Sequence, residues 1–401
     1  MRVLFISDVY FPRVNGVSTS IHTFREDLAG IGVDTLLVAP RYQTLSGPPT
    51  SADAAAAQEP AVQRVPAATV PGDPEDRRMA WRALNRVLAA LPGAAFDLVH
   101  IHTPFVAHYA GVRYARCAGI PSVATYHTFF EEYLHHYLPV LPRGLGRLLA
   151  RTFTRSQCRS VQALIAPSEP MRAVLLGYGV STPIHVLPTG LAADRFRAGD
   201  GAAFRARAGI DARRPLVTYI GRVAHEKNIG FLLSVFLEVR RSVPHALLVI
   251  AGEGPARESL RTQVASLGLE SHVYFAGYLE RGQELLDCYA AADVFVFASR
   301  TETQGLVLLE AMAQGTPVVS TAELGTRSVL VPGCGALVVP EDRDTFAAAV
   351  VRVLGDAGLR AGMAARGRAY AHTWSSAVMA GRLAQVYEEL TAAARAPRAA
   401  A

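Results

Sequence analysis

Leu216-Val217-Thr218-Tyr219-Ile220-Gly221-Arg222-Val223-Ala224-His225-Glu226-Lys227-Asn228 is the stretch that decides how this chain is read. An apolar-rich run, 216–220, ends at a glycine, two cations follow, and an amphipathic stretch covers 228–242. A strand passing into a helix through such a turn is the unit of an open α/β sheet, whose helix N-termini offer backbone N–H groups to anions. Lys227 is the single lysine among the 40 Lys and Arg residues. So strong a preference for arginine suggests a local reason for a surviving ammonium, a compact charge with three rotatable donors that a planar guanidinium does not copy. The competing readings are survival by chance and a surface salt bridge.

The same alternation extends in both directions. Strand-like runs fall at 3–7, 35–39, 98–102, 122–125, 163–166 and 184–187 before the motif. After it they fall at 246–251, 273–276, 294–298, 317–320 and 336–339, with helix-like segments such as 18–30 between them. This order predicts α/β domains with parallel sheets covered by helices. The series restarts near residue 190, and the charge-rich stretch 190–215 reads as the connection between two domains, 1–190 and 191–374. Residues 43–76, rich in Ala, Pro, Ser and Gly, read as a mobile insertion, and the tail 392–401 as disordered. Two successive open sheets are expected to turn their ligand-binding strand ends towards a shared cleft.

Composition narrows the function. At 401 residues the chain is long for one core and suited to two domains. A net charge of +6 suits nucleic acid, a membrane surface or an anionic metabolite. Nothing resembles a nucleic-acid-binding signature, so a nucleic-acid partner is not expected. No apolar run approaches the ~20 residues of a spanning helix. The start, 1–8, is too short and too soon interrupted by Asp8 for a signal peptide. Cys117, Cys158, Cys288 and Cys334 lack metal or disulfide-framework spacing, so a reducing cytoplasm is expected.

Further constellations carry chemistry. Asn15-Gly16, after the first strand, would let backbone N–H groups approach an anion, although the pair alone is a common turn. Glu302 and Glu310 stand eight apart around Gly305, an arrangement suited to sugar and ribose hydroxyls; solvated charges are the alternative for the pair alone. His127, in Thr125-Tyr126-His127-Thr128, ends a first-domain strand and reads as a substrate contact or a structural histidine. Asp342-Arg343-Asp344 matches a D-x-D metal pattern, but at a helix start it reads as a cap. Arg143, Arg147, Arg151, Arg155 and Arg159 recur every four residues. With Phe129, Phe130, Tyr133 and Tyr137 upstream, they read as an anionic-membrane surface or as a solvated face.

The order and spacing of Asn15-Gly16, Tyr126-His127-Thr128, Gly221-Arg222 with Lys227, Gly252-Glu253-Gly254 and the pair Glu302/Glu310 resemble the retaining family 4 glycosyltransferases over nearly the whole chain. The resemblance implies a GT-B fold, two Rossmann-like parallel-sheet domains facing a central cleft, with the last helix, about 375–393, returning to the first domain. It implies that Gly16, Arg222 and Lys227 hold the donor diphosphate. Glu302 and the amides of Gly305, Leu306 and Val307 would meet the transferred sugar and phosphate, and Glu310 the ribose. Gly252, Glu253 and Gly254, with Gly277 and Tyr278, would flank the base. His127 would lie at the sugar, and no metal cofactor is called for.

Around 301–305 and 127–134 the chain looks most like the diacylglycerol glucosyltransferases of that family. That implies a UDP-glucose donor, a lipid or saccharide acceptor, and peripheral attachment to the inner face of the membrane. The alternatives are a GDP-mannose-dependent mannosyltransferase, a sugar-nucleotide epimerase and a non-catalytic sugar-nucleotide sensor.

Overall fold

The computed structural model of the chain describes residues 1–13, 15–42, 59, 61–70, 73–91, 95–127, 143–280 and 282–396. It divides into two compact units, Met1–Thr189 with Ser376–Ala401, and Gly190–Ser375.

The first unit is built on a seven-stranded sheet. Its elements begin β1 (Arg2–Ile6), α1 (Gly16–Gly30), β2 (Asp34–Pro40), β3 (Val62–Val65), β4 (Ala67–Val70), β5 (Asp73–Met79) and α2 (Trp81–Ala90). They continue with β6 (Leu98–Ile101), α3 (Val106–Ala118), β7 (Ser122–Thr125), α4 (Arg143–Cys158), β8 (Ala163–Ala166), α5 (Glu169–Gly177) and β9 (Ile184–Val186). The sheet order is β3-β2-β1-β6-β7-β8-β9, and each neighbouring pair is parallel. Val3, Leu4, Phe5 and Ile6 of β1 are wholly buried, as a central strand covered by helices on both faces requires. The strand order reverses at β1/β6, the topological switch point where open sheets bind ligands.

The second unit repeats the plan. It contains α6 (Gly201–Arg207), β10 (Leu216–Ile220), α7 (Ile229–Ser242), β11 (Leu247–Ala251), α8 (Arg257–Ser266), β12 (Val273–Gly277), α9 (Gln283–Ala291) and β13 (Val294–Phe297). Then come α10 (Leu306–Ala313), β14 (Val318–Ser320), α11 (Thr326–Val329), β15 (Ala336–Val338), α12 (Arg343–Gly355) and α13 (Ala357–His372). The parallel order β12-β11-β10-β13-β14-β15 puts its switch point at β10/β13. The last helix, α14 (Ser376–Arg395), packs against α1 in the first unit, burying Leu383 and Tyr387.

Three sequence readings are corrected. Within 43–76, residues 62–65, 67–70 and 73–76 form β3, β4 and the start of β5; 43–58, 60, 71 and 72 lie outside the described residues. The tail stays helical to Arg395, with 397–401 outside the described residues. The stretch 190–215 is folded onto the second unit and is more than a connection. Gln314 accepts from the Gly199 amide at 2.9 Å and donates to the carbonyls of Arg195 and Arg197 at 2.9 Å.

Candidate active site

The second unit gathers most of the candidate residues at the C-terminal ends of β10, β11, β12 and β13. Beyond β10, a short 3-10 turn (His225–Lys227) ends at Asn228, whose left-handed φ of 57° starts α7. Asn228 Nδ2 donates to the Ala298 carbonyl at 3.3 Å, tying this turn to the end of β13. Lys227 Nζ then meets Glu302 Oε2 at 2.6 Å across the switch point. These side chains are 18% and 24% exposed, so the pair is largely desolvated yet reachable. Arg222 follows the end of β10, its Nη1 3.4 Å from Glu226 Oε1. Cation and carboxylate 75 residues apart in sequence thus share one strand-end crevice, a charge arrangement suited to an anionic ligand carrying hydroxyls.

The glycines divide by role. A Cβ on Gly252 would come 2.0 Å from the Gly221 carbonyl oxygen, and one on Gly254 would come 2.3 Å from that of Val223. Both are therefore required by the close approach of the β10 and β11 loops, whatever they also offer a ligand. Gly277 ends β12, and its carbonyl accepts from the Gly252 amide at 2.7 Å. Glu253 is held by Arg257 Nη1 at 2.7 Å, and Tyr278, the residue after Gly277, is 53% exposed. Gly305 caps α10 with φ 93°, and Leu306 and Val307 are the first residues of that helix. Glu310 falls in its second turn. It is 4% exposed and accepts from Tyr289 Oη at 3.0 Å, so it is a buried, oriented carboxylate and no solvated charge.

Asp342 accepts from the Thr345 amide at 2.8 Å and caps α12, while Asp344 pairs with Arg343 at 2.7 Å. The D-x-D stretch is thus a helix start.

In the first unit, Asn15 caps α1 by accepting from the Ser18 amide at 2.9 Å. A Cβ on Gly16 would meet nothing within 4 Å, so packing does not demand glycine there. Asp8, at the end of β1, is buried under the start of α3 and accepts from the Ala107 amide at 3.0 Å and Thr103 Oγ1 at 2.9 Å. Burial pushes its carboxyl up to about 7 against those hydrogen bonds.

His127 follows β7, and its Nε2 lies 3.4 Å from His102 Nδ1. Its ring is stacked on that of His102, which in turn lies 3.9 Å from the ring of His100. His100 sits between Tyr387 Oη at 2.6 Å and Thr125 Oγ1 at 2.6 Å. Burial lowers all three histidines, His127 to about 4, so the cluster is neutral at ordinary pH. His100 and His102 escaped the sequence reading, although their i, i+2 spacing on a strand puts both on one face.

Arg143, Arg147, Arg151 and Arg155 of the basic stripe lie on α4, and Arg159 follows its end. Arg151, Arg155 and Arg159 are exposed; the side chains of Arg143 and Arg147, and all of Thr128, Phe129, Phe130, Tyr133 and Tyr137, lie outside the described residues. Arg155 Nε donates to the Tyr178 carbonyl at 2.8 Å, and Arg151 lies over the Tyr178 ring at 5.3 Å. Two of the five arginines therefore also brace the end of α5.

No helix among the described residues is long and apolar enough to cross a membrane, and all four cysteines are free thiols.

Known proteins share this organisation. Residues 14–195 match the model for Glycosyltransferase Family 4, and residues 201–370 match that for glycosyl transferases group 1. An alpha-monoglucosyldiacylglycerol synthase from Streptococcus pneumoniae is 32% identical over 80% of this chain and 71% of its own. A GDP-mannose-dependent alpha-mannosyltransferase from Mycobacterium tuberculosis is 30% identical over 85% of this chain and 84% of its own. A sucrose-phosphate synthase from Thermosynechococcus elongatus has the same fold, with a TM-score of 0.77, 21% identity and coverage of 98% of this chain and 99% of its own. With two Rossmann-like sheets and a relative of that identity, the chain belongs to the family 4 glycosyltransferases of the GT-B fold.

Proposed function

We propose that this glycosyltransferase is a retaining enzyme that moves glucose from UDP-glucose to a lipid acceptor such as diacylglycerol. The observation that carries the reading is the Lys227–Glu302 pair at the β10/β13 switch point. Lys227 and Arg222 take the charge of the diphosphate as it leaves, and Glu302 takes hydroxyls of the transferred sugar. Glu310, oriented by Tyr289, takes the ribose, and Tyr278 flanks the base. Gly16 and His127 keep the roles that the family resemblance assigns them, at the diphosphate and at the sugar.

The bond from the anomeric carbon to the diphosphate oxygen breaks, and the bond to the acceptor oxygen forms on the same face. The acceptor's proton passes to the departing phosphate. With the leaving charge met by side-chain cations, the reading needs no metal. The glucosyl donor and diacylglycerol acceptor are supported by the pneumococcal relative, an alpha-monoglucosyldiacylglycerol synthase. Peripheral attachment is supported by Leu148 and Leu149, exposed on the same helix as the arginine stripe. The second reading, GDP-mannose as donor, is favoured by the mycobacterial relative, which matches a larger share of the chain.

Thermal-shift and hydrolysis screens of UDP- and GDP-sugars test the donor. Transfer to diacylglycerol in mixed vesicles with EDTA present then tests the acceptor and the metal, and proton NMR of the fresh product gives the linkage. The expected result is α-linked glucose from UDP-glucose, unaffected by chelation. Preference for GDP-mannose moves the conclusion to the second reading. A β-linked product overturns retention, and conversion of the donor's sugar without acceptor points to an epimerase.

A further inference from the structure

His102 is 1% exposed at the end of β6, its ring tilted against Phe5 at 4.7 Å and nearly parallel to that of His127 at 5.7 Å, and no step of the proposed reaction uses it. Its two ring nitrogens are in different positions. Nδ1 faces His127 Nε2 at 3.4 Å, while Nε2 is buried with no hydrogen-bond partner among the described residues. One proton must be shared out between these sites. If His102 carried it on Nε2, a buried N–H would be left without an acceptor, a costlier defect than a bare lone pair. If His102 carries it on Nδ1, only a lone pair is left bare, and Nδ1–H can donate to His127 Nε2. His127 must then accept at Nε2 and hold its own proton on Nδ1.

We propose that His102 is a positioning residue that fixes His127 as the Nδ1–H tautomer, so that the edge His127 offers to substrate is a hydrogen-bond donor. The chemistry matches what the site would face. A donor edge suits a hydroxyl lone pair of the sugar or an oxygen that gains negative charge, whereas the other tautomer would present an acceptor. The cluster supports the assignment structurally. His100 lies against the His102 ring at 3.9 Å and is bonded on both edges, so the stack cannot easily rotate to exchange the two nitrogens. Burial also keeps these imidazoles neutral, which is the state in which a tautomer, and not a charge, decides the hydrogen-bond direction.

This inference rests on the reading of His127 as a sugar contact for its kinetic consequence but not for the tautomer itself. The tautomer is read by nitrogen-15 NMR of the histidine side chains in the full chain without ligand, using His127→Asn and His102→Phe to assign signals. The expected spectrum shows His127 protonated on Nδ1, and His102→Phe moves that proton to Nε2. In transfer assays His102→Phe, which keeps the ring and its stacking, lowers kcat by about 10- to 100-fold with little change in donor KM. His102→Asn, which can place an amide N–H near the Nδ1 position, restores most of the loss, and His102→Gln does not. A wild-type His127 protonated on Nε2, or equal turnover of the Phe and Asn variants, overturns the proposal. If His127→Ala transfers hexose at the wild-type rate, the reading of His127 at the sugar fails, while the tautomer result stands on its own.

Discussion

Replacing Lys227 separates what its charge does for the fold from what it does for transfer. Lys227 Nζ and Glu302 Oε2 are 2.6 Å apart with about a fifth of each side chain exposed. At that distance, and at the effective dielectric of a protein surface, the gross attraction is about 6 kcal/mol. Desolvation of both ions and ordering of the lysine chain offset most of it, so Lys227→Ala should cost about 1–2 kcal/mol of folding stability. The loss in transfer should be larger, about 2–4 kcal/mol of transition-state stabilisation, because the leaving diphosphate loses its compact cation. That corresponds to roughly 30- to 1,000-fold in kcat/KM. Lys227→Arg is the sharper variant. It keeps the positive charge and can still pair with Glu302, so urea unfolding should change little, but a guanidinium is longer, planar and differently hydrated. Its transfer rate should fall well below wild type. The assay is paired: urea midpoints for stability and initial rates with saturating acceptor for transfer. Full activity in the Arg variant would falsify the special role of this lone lysine and leave it an ordinary ion pair.

The other predictions concern the carboxylates, the stripe and pH. Glu310→Gln, which keeps an acceptor for Tyr289, should chiefly raise the donor KM, whereas Glu302→Ala should chiefly lower kcat; the reverse pattern would exchange their assignments. Charge reversal at Arg143, Arg147 and Arg159 should release the protein from anionic vesicles, at about 1 kcal/mol for each charge near the surface, and leave donor hydrolysis intact. Those positions spare Arg151 and Arg155, which brace Tyr178; equal weak binding to neutral and anionic vesicles would favour a solvated face. His108 and His127, both held at about 4, refuse protons that the unfolded chain takes up from about 6.5 downwards, so each costs stability as pH falls through that window, about 3 kcal/mol at full effect. His100 and His102 act in the same direction, while Asp8, held at about 7, acts oppositely between that value and the ordinary carboxylate range. Four groups against one predict a lower urea midpoint at pH 5 than at pH 7; a higher one would show that Asp8 dominates.

What the sequence made legible follows from burial. β1, β8, β10 and β13 lie inside parallel sheets, so both faces are largely apolar and each run stands out from its neighbours. β3, β4 and β5 did not stand out. β3 is an edge strand, Val-Gln-Arg-Val, and β5 reads Asp-Pro-Glu-Asp-Arg-Arg-Met, a composition in which pairing to a neighbour, not propensity, makes the strand. The motif residues were legible one by one, but their partners were not. Nothing local in the sequence aims Lys227 at Glu302; the parallel register of β10 on β13 does. The histidine cluster needed two steps. Period-two spacing puts His100 with His102 on one face and Thr125 with His127 on another, and the pairing of β6 with β7 sets those faces side by side. Glycine is the hardest case, because its letter is the same for opposite causes. Gly252 and Gly254 are forced by backbone carbonyls that would strike a Cβ, whereas Gly16 has open space where its Cβ would be. Alanine at Gly252 or Gly254 should therefore damage the fold before it damages binding. Alanine at Gly16 is tolerated by packing, so any loss of activity there reports the approach of a ligand to the helix start.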